Sequence, residues 1–161
     1  MKDDEYILLK EAALLIKQRD YTEAAGLYQK IAELFTQKSS YQKALAAYHK
    51  SLSLAADPAV CLSMARIYEK IHRNFSAYEI LRQAFMQFGE RKDFEQAIEI
   101  GFKMTELEPH SFFPHEKMAE IYFSTGYLTE AAAEFQLGSV KAEAARDFKK
   151  SLELLFYAFK M

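Results

Sequence analysis

The chain has 161 residues, half of them hydrophobic, enough to build a sizeable core in one compact domain or one short solenoid. Charged residues make up 27% yet leave a net charge of only −2, and the densest basic runs are Lys149-Lys150 and Arg91-Lys92, so no field or basic patch favours nucleic acid as a partner. Five glycines and three prolines are too few for the turns of a sandwich or barrel, and Ala, Leu, Glu, Lys and Gln are good helix formers.

Apolar residues recur at helical spacing from end to end. The first helix is expected over 3–19 and closes at Arg19-Asp20; the second covers 21–37 and closes at Lys38-Ser39-Ser40. A third, 40–56, ends at Asp57-Pro58, where a capping residue precedes a proline in the first turn of the fourth, 58–72. The fifth, 74–88, starts at Asn74 and stops at Gly89, a glycine suited to the left-handed end of a helix. The sixth, 91–108, runs into the loop Glu108-Pro109 to Pro114. The seventh, 112–125, ends at Ser124-Thr125-Gly126; the eighth, 127–139, ends near Gly138; the ninth spans 142–160. The reading is all-α, about nine helices with no strand, in a single domain over 1–161.

A more specific pattern overlies the helicity. A large residue is followed by a Leu-like residue and a small one three and four positions on, a large residue three further, an Ala sixteen after the first, and an aromatic or large residue four after that. Tyr28, Ile31, Ala32, Phe35, Ala44 and Tyr48 follow it, as do Cys61, Met64, Ala65, Tyr68, Ala77 and Leu81, and His115, Met118, Ala119, Tyr122, Ala131 and Phe135. Leu81, Phe88, Ala97 and Pro109 give a weaker match, and so do Leu8, Ala12, Leu15, Ala24 and Tyr28. The physical sense is that two antiparallel helices cross closely only where small side chains face each other, here Ala32 with Ala44, Ala65 with Ala77 and Ala119 with Ala131.

On these residues the sequence resembles the tetratricopeptide-repeat superfamily over nearly its whole length, with Ala in place of the signature glycine and no tryptophan in a large position. The resemblance implies a right-handed superhelix of antiparallel helix hairpins that binds a protein or peptide on its concave groove. The matches fall in two overlapping registers, since helices 21–37 and 74–88 each read both as the second helix of one pair and the first of the next.

Chemistry has little to stand on. His110 and His115 are five apart across a proline loop, a poor metal spacing; Cys61 sits in a large-residue slot, where a buried thiol is expected. A single cysteine also rules out an intramolecular disulfide. No phosphate loop, HExxH or nucleophile elbow occurs, and the pairs Glu95/Glu99 and Glu116/Glu120 read as solvated helix faces. The expectation is no enzyme, no cofactor and no metal. The acidic start Met1-Lys2-Asp3-Asp4-Glu5 is unlike a secretory signal and no apolar run approaches the roughly 20 residues of a membrane span, so the chain reads as soluble and cytoplasmic.

What remains is a docking surface. One subclass of the family grips a chaperone's C-terminal carboxylate with Lys and Asn one and five positions after the large slot. Those positions here are Gln29 and Glu33, Leu62 and Arg66, Glu116 and Glu120, whose three carboxylates would repel such a ligand. The expected partner-facing residues are these six together with Phe113 and Phe123; the adjacent Phe112 is a further aromatic with no repeat slot. The reading is a protein–protein adaptor; the alternatives are a secretion chaperone of the type III class holding an exported protein, or a regulatory subunit or fragment of a larger repeat protein. The ninth helix carries a stripe of Phe148, Leu152, Leu155, Phe156 and Phe159, expected to cover the last hairpin as a cap, with homodimerisation through the same helix as the minority reading.

Overall fold

A computed structural model describes residues 2–160, with the side chains of residues 2–4 left undescribed. The described residues form nine helices and no strand: α1 (Lys2–Lys17), α2 (Tyr21–Gln37), α3 (Tyr41–Leu54), α4 (Pro58–Lys70), α5 (Asn74–Glu90), α6 (Phe94–Leu107), α7 (Phe113–Ser124), α8 (Leu128–Ala144) and α9 (Phe148–Phe159). They divide into two compact units, Met1–Arg73 and Asn74–Met161.

Six of the eight connections share one device. Arg19, Ser39, His72, Lys92, Gly126 and Arg146 each take a left-handed φ between 54° and 86°. The next residue's N–H then reaches back to the carbonyl five positions earlier: Asp20 to Leu15 at 2.9 Å, Asp93 to Phe88 at 3.0 Å, Asp147 to Ala142 at 2.9 Å. These bonds satisfy carbonyls that the helix end leaves unpaired. In those three turns the same Asp is also the N-cap of the following helix, its carboxylate accepting from Glu23, Gln96 and Lys150 N–H respectively. One residue thus closes one helix and opens the next, which is why three residues suffice to reverse the chain.

In the first unit α1 packs on α2, α2 on α3, and α4 follows α3. Ala12, Ala24, Ala32 and Ala44 are fully buried, as the close crossings require. Ser51 sits inside and donates its hydroxyl to the Ala25 carbonyl at 3.0 Å, so this buried polar group is paired. Pro58 stands in the first turn of α4 and Asp57 caps it through Ala59 N–H at 3.0 Å, as expected from the sequence.

In the second unit α5 packs on α6, α6 on α7, α7 on α8 and α8 on α9. Ala119, Phe135, Ala142, Leu154 and Ala158 form a core that Phe112 flanks. Gly101 marks the closest approach: a Cβ there would stand 2.5 Å from Met118 Sδ and 3.2 Å from Phe85 Cε2. Ser139 and Ser151 bond to each other between α8 and α9 at 3.0 Å.

Several expectations need correcting here. Gly89 does not end α5: the helix runs on to Glu90, and Lys92 takes the left-handed residue. Gly138 is no break but lies inside α8, where its missing Cβ leaves room for Leu154 Cδ1, 3.2 Å from the ideal Cβ position, and for His115 Cβ at 3.4 Å. Residues 142–144 therefore belong to α8, and the last helix is Phe148–Phe159 rather than 142–160. The stripe of Phe148, Leu152, Leu155, Phe156 and Phe159 expected to pack inward is exposed; Ser151, Leu154 and Ala158 are what α9 buries. The two faces are adjacent and both apolar, so amphipathic spacing alone chose the wider one.

Candidate partner-binding groove

The two units place the expected partner-facing residues differently. In the first, Gln29 of α2 donates from Nε2 to Asp57 Oδ2 at 3.2 Å, tying α2 to the cap of α4. Glu33 is exposed on α2 and Leu62 half-buried on α4. Arg66 lines a cavity of about 420 Å³ with Thr36, Tyr48, Ser63 and Ile67. Burial raises the Tyr48 hydroxyl above its ordinary value, against hydrogen bonds to Ser63 and Thr36 that pull it down.

In the second unit three expected residues come together. Glu116, Glu120 and Phe123 of α7 line one side of a cavity of about 480 Å³, completed by Phe135 of α8, by Glu153 and Tyr157 of α9 and by Lys160, which caps α9. Its apolar wall is ordered: the Phe135 and Tyr157 rings lie 5.5 Å apart between centroids, tilted by 31°. Its acidic side is braced from behind, where Lys150 Nζ donates to Glu116 at 2.6 Å and to Glu153 at 3.4 Å. The Glu116 bond is the main reason the Lys150 ammonium titrates above its usual value.

Across Glu120 lies a second cavity of about 360 Å³, lined by Phe85, Met86, Gly89 and Glu90 of α5, Phe94 of α6 and Lys117, Ile121 and Ser124 of α7. Glu120 belongs to both walls and is held by Lys117, whose Nζ lies 2.7 Å from each carboxylate oxygen. The arrangement offers two apolar recesses separated by a carboxylate. Phe113 is not part of either wall; it lies under the Arg82 guanidinium, 5.6 Å from ring centroid to carbon.

Sequence reasoning missed Phe85, Met86, Phe94, Phe135, Glu153, Tyr157 and Lys160. Phe135 fills a repeat slot and is buried, yet it also forms part of the cavity wall. The α9 residues could be found only once the buried face of α9 was known.

Of the other reactive groups weighed from the sequence, His110 is exposed, whereas His115 and Cys61 are internal. His115 is buried with its Nδ1 2.7 Å from Glu134 Oε2, which fits its place in a large-residue slot and links α7 to α8. Cys61 is fully buried, and burial, helped by Asp57, pushes its thiol up to about 11, away from nucleophilic character. Among the described residues no group of three or more His, Cys, Asp or Glu is placed to hold a metal ion, and no helix is long and apolar enough to cross a membrane.

Both units are built of consecutive helix hairpins, with fully buried alanines on packed helices and a left-handed residue in six of the eight connections. No family model matches the chain, and no curated protein matches it. Among solved structures it is similar to YrrB, described as a TPR protein with an unusual peptide-binding site, at 17% identity over 92% of this chain and 91% of that one, with a TM-score of 0.39. It is also similar to BtubC from P. vanneervenii, at 17% identity over 92% and 76% of the two chains and a TM-score of 0.47. A third similar structure is the TPR2AB domain of yeast Sti1 in complex with pHSP90, at 15% identity over 96% and 68% and a TM-score of 0.41. What each of those proteins binds is a property of that protein.

Proposed function

We propose that this chain is a non-catalytic adaptor that holds a peptide segment of another protein in the groove of its second unit. The observation that carries the reading is the pair of apolar cavities sharing Glu120 as a common wall. A pocket lined by Phe123, Phe135 and Tyr157 takes one large apolar side chain, and one lined by Phe85, Met86, Phe94 and Ile121 takes a second. The carboxylates Glu90, Glu116, Glu120 and Glu153 outnumber the ammonium groups Lys117, Lys150 and Lys160 around the two cavities. The ligand that fits is therefore a peptide with two apolar anchors and a basic residue between them.

Selection from a random-peptide display library tests this directly. The expected consensus has an aromatic or large aliphatic residue on either side of a Lys or Arg. A consensus that is acidic, or one that lacks apolar anchors, would contradict the reading.

A further inference from the structure

We propose that α9 is a dimerisation helix that pairs with α9 of a second copy of this chain, antiparallel about a two-fold axis passing between Phe156 and Tyr157. The surface is continuous along the helix. Leu152 is 68% exposed, Leu155 37%, Phe156 56% and Phe159 81%, and at 100° per residue all four point to one side of the helix. Together they expose on the order of 450 Å² of apolar surface, about what marks an interaction site on a soluble protein. Two copies would remove at most about 900 Å² from water, below the roughly 1,200 Å² at which stable specific interfaces begin and in the range of transient ones, so the dimer forms and dissociates with concentration.

The unit itself argues against the obvious alternative cover, another repeat helix docking as α7 docks on α6. Both α6 and α9 follow a left-handed residue and an Asp cap, so positions correspond by their distance from Asp93 and Asp147. Gly101, the position that receives Met118 of α7, corresponds to Leu155. A helix seated on α9 as α7 sits on α6 would meet a leucine where α6 has no side chain. The α9 face is a row of knobs without that hole, suited to interdigitating with another such row.

Charge selects the second copy and sets the register. Glu153 and Lys160 flank the stripe on one side, seven positions and two turns apart. An antiparallel pair centred between Phe156 and Tyr157 brings Glu153 of each copy level with Lys160 of the other, twice by symmetry. Glu153 bonds Lys150 at 3.4 Å and Lys160 lies over the Phe156 ring, 4.5 Å from its centroid; both also line the cavity formed with Phe123 and Phe135, so α9 pairing and peptide binding compete for these two charges.

Sedimentation equilibrium of the full chain over a range of concentrations tests the proposal. A monomer–dimer equilibrium is expected, with no larger species. Leu152→Lys or Phe159→Lys, both at exposed positions outside the groove walls, should weaken it roughly tenfold or more while leaving the circular dichroism spectrum unchanged. Glu153→Lys alone and Lys160→Glu alone should each weaken it, and the double exchange should restore it to within about threefold of the parent protein, because the reversed charges again face each other. A chain that stays monomeric to roughly 0.5 mM, a concentration at which even a weak dimer of Kd about 0.1 mM is mostly associated, would overturn the proposal. So would open-ended oligomers, which mark a head-to-tail contact, or a double exchange no better than the single changes.

Discussion

Helices α6 and α9 enter the fold in the same way and end in different surroundings. Each follows a left-handed basic residue, Lys92 or Arg146, and an Asp cap with nearly equal dihedrals. Each buries a branched aliphatic residue seven positions after the cap, Ile100 or Leu154, almost completely. The next position separates them: Gly101 in α6 lies against Met118, whereas Leu155 in α9 is partly exposed in a row of exposed apolar residues. An amphipathic period thus identifies apolar faces, and what the rest of the chain lays over them decides which is core.

The comparison is broken or sharpened most strongly at the equivalent buried residues. Ile100→Ala and Leu154→Ala should each cost about 2–5 kcal/mol in chemical denaturation, while Leu152→Ala, measured at low protein concentration, should stay within about 0.5 kcal/mol. Equal losses at Leu152 and Leu154 would mean that the buried face of α9 has been assigned wrongly. Overpacking comes next. Ala44→Leu and Ala131→Leu, each at a fully buried residue, should cost roughly 1–3 kcal/mol. Gly101→Ala should cost about 1 kcal/mol or more, and combining it with Met118→Ala should give less than the sum of the two single losses, because the truncated side chain vacates the space a Cβ needs.

The shared entry makes a sharper, smaller claim. Asp93→Ala and Asp147→Ala should each cost about 1 kcal/mol, and by similar amounts, since both remove the same cap. The smallest effect is in the first unit. With its thiol pushed up to about 11 by burial, Cys61 should react with iodoacetamide at pH 8 far more slowly in the native protein than in denaturant. The stability that comes from keeping this thiol protonated is complete below the unfolded value near 8.5 and is lost as pH rises from there through about 11.

Much of the fold was legible because its determinants are local. The residues around each turn, such as Arg19-Asp20 and Lys38-Ser39-Ser40, mark boundaries that the dihedrals of Arg19 and Ser39 then explain. The alanines sixteen positions after a large residue mark crossings because backbone approach needs a small side chain from both helices. The errors share a cause. Gly138 and Gly89 carry the same local signal as Gly126, yet only Gly126 is left-handed; Gly138 is small because Leu154 and His115 approach it from other helices. The groove was half legible: Glu116, Glu120 and Phe123 lie on one helix at helical spacing, whereas Phe135 and Tyr157 join them only through the packing of α8 and α9. The same packing turned the expected cap stripe outward.

The most direct test of the adaptor reading is the dissociation constant of a display-selected peptide, measured for variants in the two units side by side. Glu120→Lys and Phe123→Ala in the second unit should each weaken binding roughly tenfold or more, while Glu33→Lys and Arg66→Glu in the first should change it by less than about twofold. Binding that survives both second-unit changes, or that is lost on Glu33→Lys and Arg66→Glu instead, would contradict the assignment of the groove.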